Sequence, residues 1–383
     1  MKTNYLFLET FLSSLKKCTL FFILAVLFSL NSIFASEYTN KPSMMDEDWR
    51  ILIQANNAFN ENDYGRALSL VEKSKFSRKQ KVNWKKWNLD NVKKYREIQR
   101  SGDLLSDIIE VLKKRENKVC LEIVNEEIDK YGISFFDNSF SKLTEFVSTT
   151  VAYPEADFLV GKIYRLEGET ELALKNYNSA YENKFFLDVP EMQYDILYEL
   201  ADLYYSIGDK EHFESSLLAI LKDNEDYSDI GRKKSMNKVL KEDEKETIDK
   251  FFDMFRSTDY KSLKALSLLT TFYINQGEEQ KALHAASIGV TTAVQKIYNT
   301  LEKRRPGFVY DGIQNLLGCS AYYTDLVEWG KDNCIWELFL QFADCTCSSG
   351  YLVFAKELYM RLSVCIPDDY YRKACANRLL TVN

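Results

Sequence analysis

Apolar and small residues recur along this chain at steps of three and four, with polar residues between them, which is the spacing of a single buried helix face. The stretch GKIYRLEGETELALKNYNSA (161–180) carries the pattern in full. Tyr164 follows Gly161 by three residues, Gly168 by seven and Ala173 by twelve, and Tyr177 and Ala180 continue the helical step. This layout predicts two helices joined by a turn: a small residue on the first helix lets the second come close, an aromatic fills the same face, and glycine opens the turn. The frame returns at Leu200, Ala201, Tyr204, Gly208 and Phe213, and at Leu269, Thr270, Tyr273, Gly277, Ala282, Ala286 and Gly289. It returns again at Ala55, Ala58, Asp63, Tyr64, Ala67 and Ser74, and at Phe342, Ala343, Gly350, Ala355 and Tyr359. Ile108, Val111 and Cys120 fit it less completely.

Five frames in one register resemble the tetratricopeptide repeat, a unit of two antiparallel helices. The resemblance implies an all-α fold in which helix pairs stack as an α-solenoid. The spacing here is irregular, because Ala67, Cys120, Ala173, Phe213, Ala282 and Ala355 are not separated by the family's constant interval. The gaps are long enough for extra helices, and WNLDNVKKYREIQRSGDLL, ISFFDNSFSKLTEFV and KETIDKFFDMFRSTDY supply apolar residues at helical steps. A helical bundle without repeats is the alternative. Residues 46–222 are expected to form an N-terminal array, 223–246 a charged connector, and 247–383 a Cys-rich C-terminal array. A long helix beginning near 279 should end before Pro306 and Gly307.

Composition supports helix throughout. Among 383 residues there are only 14 glycines and 5 prolines, too few for the turns and open loops that sheets and phosphate-binding sites require. The N-terminus stands apart: Lys16 and Lys17 precede the apolar run CTLFFILAVLFSL (18–30), and small residues follow at Ala35 and Ser36. A basic flank, a short apolar core and a small-residue end read as a secretory signal over 1–36. The run is about 13 residues, shorter than the ~20 that span a bilayer, although its extension to Ala35 leaves an uncleaved anchor as the other reading. Either one predicts an exported protein of the periplasm or cell envelope.

Candidate chemistry is sparse. No phosphate-loop, nucleophile-elbow or HExxH pattern occurs, and His212 and His284, the only histidines, both fall on predicted second helices. The expectation is a protein without catalysis, cofactor or metal. Seven cysteines lie beyond Cys18, six of them after residue 318. Their three candidate roles are small packing residues, interhelical disulfides with Cys365–Cys375 as the first pairing to test, and a metal site. The last is awkward because Cys345 and Cys347, two apart on a helix, point in diverging directions. In a chain of net charge −7, residues 73–100 are basic, with Lys79, Lys81, Lys85, Lys86, Lys93 and Lys94 interleaved with Trp84 and Trp87. An exported protein meets little nucleic acid, so an anionic membrane surface or an acidic protein face is the expected target, against the alternative of a solvated helix face.

The tetratricopeptide resemblance also implies a ligand-binding concave face lined by first helices. Its positions here are Glu155, Phe158, Lys162 and Arg165, followed by Asp195, Tyr198, Asp202 and Tyr205. Mixed charge and tyrosine suit a protein or peptide partner. The lysine and asparagine arrangement with which some family members hold a terminal carboxylate is absent. The expected function is therefore a scaffold or accessory subunit, with a solute-binding component of a transport system as the alternative.

Overall fold

The computed structural model describes residues 48–99, 125–126, 130, 151–242 and 246–382, with side chains in the first of these runs described through Asn83. Every described element is helical. The chain divides into two compact units, Met1–Leu187 and Asp188–Asn383.

In the first unit, α1 (Asp48–Asn60) turns back into the long α2 (Tyr64–Gln99), and α3 (Pro154–Leu166) turns back into α4 (Thr170–Glu182). The turn between α1 and α2 uses Asn62 at φ +61°, a left-handed conformation that asparagine tolerates better than most residues. Pro154 opens α3, where its missing N–H costs nothing. The predicted close approach is present. A Cβ built on Gly161 would lie 2.4 Å from Cδ1 of Tyr177, so the α3–α4 crossing admits only glycine. Ala67, Ala173 and Ala180 are fully buried at these contacts, and the core joins Ala55, Ala58 and Val71 to Tyr153, Leu159 and Ile163.

The second unit begins with the pair α5 (Met192–Ser206) and α6 (Lys210–Leu221). Two short helices follow, α7 (Glu225–Ser228) and α8 (Ile230–Val239), and then α9 (Thr247–Met254). Next come α10 (Leu263–Gln276), α11 (Glu279–Arg304), α12 (Gly312–Ser320), α13 (Thr324–Asp332), α14 (Ile335–Ser348), α15 (Leu352–Cys365) and α16 (Asp369–Thr381). Gly277 closes α10 in a left-handed cap at φ +72°, the conformation glycine adopts without strain. Gly208 and Gly350 occupy the equivalent turns of α5–α6 and α14–α15. Pairs stack on pairs within this unit, α6 against α10, α11 against α14 and α15 against α16.

α11 is buried on nearly all sides, as a central helix must be. Small residues make this feasible: a Cβ on Gly289 would meet Leu338 at 2.8 Å. The helix stops at Arg304, two residues before Pro306. Below it an aromatic cluster joins α9 to α14 and α15, with Phe251 stacked on Phe342 at 5.3 Å and edge-on to Phe354 at 5.7 Å.

The expected division at 223–246 falls elsewhere. The units part at Leu187–Asp188, and the described part of the charged stretch, 223–242, is folded into the second. Asn224 caps α7 and Asp229 caps α8 through their side chains, while Met236, Val239 and Leu240 are buried. The charges are the solvated side of short helices whose few apolar residues enter the core.

Candidate functional site

The residues expected to line a binding face separate into two groups. Glu155, Phe158, Lys162 and Arg165 stand on α3 in the first unit, and Asp195, Tyr198, Asp202 and Tyr205 on α5 in the second.

On α3, Phe158 is a packing residue, only 5% exposed, with its ring 5.7 Å from that of Tyr177. Lys162 covers it, its Nζ 4.2 Å from the ring centroid. Glu155 and Arg165 are half-buried. The expected grip of an aromatic on a partner fails here because this ring is consumed in joining α3 to α4.

On α5, Tyr198 is likewise occupied. Its hydroxyl donates to the Lys261 carbonyl at 2.9 Å and accepts from the Ala265 N–H at 3.1 Å. This fastens α5 to the start of α10, and burial raises the phenol well above its ordinary pKa. Asp195, Asp202 and Tyr205 remain exposed. Tyr205 is 65% exposed, and its ring is braced 5.3 Å from Phe213. The structure also brings two lysines to this face: Lys261 lies over Tyr194 at 5.2 Å and Lys264 over Tyr198 at 5.0 Å. No local pattern announces these pairs, since the partners are far apart in sequence.

The basic segment is partly spent inside the first unit. Asp48, buried at the start of α1, pairs with Lys81 and with Arg78, whose Nη1 lies 3.5 Å away. Its carbonyl accepts from Ser74 Oγ at 2.6 Å. Lys75 pairs with Asp157 at 2.6 Å. Lys79 is exposed. Lys85, Lys86, Lys93 and Lys94 lie outside the residues whose side chains are described. A cavity of about 360 Å³ opens beside this segment, lined among others by Lys75, Phe76, Lys79, Val151, Tyr153 and Asp157.

Both histidines are held by neighbouring groups. His212 Nδ1 lies 2.8 Å from Asp209 Oδ2 in the cap of α6, and the ring stacks on Tyr204 at 4.9 Å. The backbone N–H of His212, with the ring beside it, lowers the Asp209 carboxyl pKa. His284 Nε2 lies 2.8 Å from the Tyr227 carbonyl and stacks on that ring at 4.8 Å, and burial pushes its pKa down.

Cys319, Cys334, Cys345, Cys347, Cys365 and Cys375 are all free thiols. Cys345, Cys365 and Cys375 are buried, which pushes each thiol up to about 12, so they pack as small hydrophobes. Among the described residues, no group of three or more His, Cys, Asp or Glu side chains could hold a metal ion. Cys120 lies outside the described residues.

No protein-family model matches the chain. A protein of Treponema pallidum (strain Nichols), described only as uncharacterized, is 25% identical over 342 residues, covering 88% of this chain and 91% of its own. Among solved structures, the crystal structure of the P58(IPK) TPR domain aligns over 94% of this chain and 95% of its own, at 14% identity and a TM-score of 0.18. So low a score carries no argument, and the helical-pair fold rests on the contacts described above.

Proposed function

We propose that this chain is an exported, non-catalytic helical scaffold or accessory subunit that binds a protein or peptide partner, in the periplasm or at the cell envelope. The observation that carries the reading is the division of labour on α5. Its small and apolar residues, Leu200 and Ala201 among them, are buried against neighbouring helices, while Asp195, Asp202 and Tyr205 face outward. An exposed tyrosine with a rigid aromatic brace is the residue type that anchors protein interfaces at low entropic cost. The basic flank and short apolar run of 1–36 support export.

The test is cross-linked capture from envelope fractions with the full chain, compared with the double variant Asp195→Arg, Tyr205→Ala. Both positions are exposed, so folding is expected to survive. A partner captured by the wild type and lost by the variant supports the reading; equal capture by both overturns the assignment to this face.

The cavity beside Lys75 and Tyr153 favours a second reading, a component that holds a small solute. Its volume of about 360 Å³ lies at the lower end of small-molecule sites. A thermal shift of several degrees with a small solute, abolished by Lys79→Glu, would favour that reading, because a ligand that binds only the native state raises its stability.

A further inference from the structure

One corner of the second unit gathers buried donors that lack acceptors. Arg232, in the first turn of α8, donates through Nη2 to the Arg256 carbonyl at 2.7 Å and pairs through Nη1 with Asp226. Arg256, just past the end of α9, lays its guanidinium over Tyr310, with Cζ 4.5 Å from the ring centroid. Tyr310 belongs to the loop before α12. Ser257 follows Arg256 and is 1% exposed.

Four polar atoms here are withdrawn from solvent and have no hydrogen-bond partner: Arg232 Nε, Arg256 Nη1, Ser257 Oγ and Tyr310 OH. A buried polar group stranded in this way is costly, and native proteins rarely tolerate several together without a bound water or ion. The chemistry of the shortage is specific. Guanidinium nitrogens can only donate, and burial raises the Tyr310 phenol, which keeps it a protonated donor. What is missing is therefore an acceptor with several lone pairs.

The neighbouring carboxylates do not fill the role. Asp249 accepts from Arg361 and from the Ile313 N–H, and Arg361 is further held by Glu357. Among the described residues, Asp253 is the one carboxylate paired with Arg256, at 3.8 Å, and it is 75% exposed. We infer that this corner binds a small oxyanion, a carboxylate or phosphate group, with Arg256 as its main ligand and Arg232, Ser257 and Tyr310 completing the shell. A planar guanidinium is suited to either group because its N–H pairs match two oxygens at once. The inference is independent of the partner-binding reading of α5.

The experiment is a titration of the full chain with inorganic phosphate, with acetate, and with a short peptide bearing either a free or an amidated C-terminus. Each is run against chloride at matched ionic strength and read by melting temperature and by calorimetry. A saturable response is expected, weakened at least about tenfold in Arg256→Gln, with circular dichroism reporting the fold. Tyr310→Phe removes only the hydroxyl, so it keeps the test decisive where Arg256→Gln does not fold, and a weaker response is expected there too. Asp253→Asn should tighten binding, since it removes the charge that competes for Arg256, whereas a site holding only water would be indifferent to it. A response to phosphate or acetate assigns a free anion; a response confined to the peptide acid assigns a carboxylate carried by a partner. No saturable response up to ~10 mM, or one unchanged in both Arg256→Gln and Tyr310→Phe, overturns the inference.

Discussion

Gly161→Ala probes the contact on which the helix pairing depends. Two effects oppose each other. Alanine is favoured over glycine in a helix interior by ~1 kcal/mol, so on an open helix face the change would stabilise. Here the new methyl would lie 2.4 Å from Cδ1 and 2.5 Å from Cε1 of Tyr177. That ring is fully buried and packed against Phe158, so it has nowhere to retreat. Overpacking a closed core costs ~1–3 kcal/mol, and sub-van der Waals contact with an immobile ring belongs at the upper end. A net loss of about 1–2 kcal/mol is expected. The sharper statement concerns Tyr177→Leu, which empties the space that the methyl needs. In that background Gly161→Ala should become neutral or stabilising, because only helix propensity remains. The assay is a double-mutant cycle, read from hydrogen exchange of α3 and α4 peptides in urea because the chain has two units. If Gly161→Ala is as stable as wild type, or loses the same amount with Tyr177→Leu present, the close crossing of α3 and α4 is refuted.

Three other outcomes are expected. Asp48→Asn removes the buried carboxylate that Arg78 and Lys81 face; the first unit should lose ~3 kcal/mol, measured by urea denaturation, and a loss under half that would deny the pair its role. His284 has a depressed pKa in the folded state, so the unfolded chain takes up its proton first. Stability should therefore fall as pH drops below ~6.5 until the folded-state pKa is reached, and His284→Gln should flatten this part of the urea midpoint profile against pH; an unchanged slope would refute the burial argument. Among the described thiols Cys334 is exposed and Cys345, Cys365 and Cys375 are buried, so a thiol reagent should label Cys334 first and the buried three only after unfolding without reductant. Protection that persists in denaturant would mean a disulfide.

The helix pairs were legible because their signal is local. Ala67, Ala173, Ala282 and Ala355 all reach the core, and each lies a fixed distance past a turn that short-range chemistry specifies. The binding face was only half legible. The tetratricopeptide resemblance implies that Phe158 and Tyr198 lie on an open face of their helices, but a resemblance carries no information about what comes to cover them in this chain. Tyr198 is claimed by a backbone carbonyl and an N–H more than sixty residues on. The connector was misplaced for a related reason: charge density masked the few apolar residues, Met236, Val239 and Leu240, that tie the segment down. The Arg232–Arg256–Tyr310 corner had no signal at all, since it is assembled by the tertiary fold from residues that share no motif.

The link between Asp249 and Arg361 has a further consequence for how the polypeptide comes off the ribosome. Hairpin neighbours can zip together almost as they emerge, but these two side chains are 112 positions apart. At ~5–20 residues per second of synthesis, α9 waits on the order of ten seconds for its acidic anchor to be neutralised and for Phe342 and Phe354 to reach Phe251. Throughout that interval Phe251 and Phe252 lack the rings of Phe339, Phe342 and Phe354 that pack on them in the finished fold. Transiently exposed apolar surface of this kind is where nascent chains are prone to misassociate.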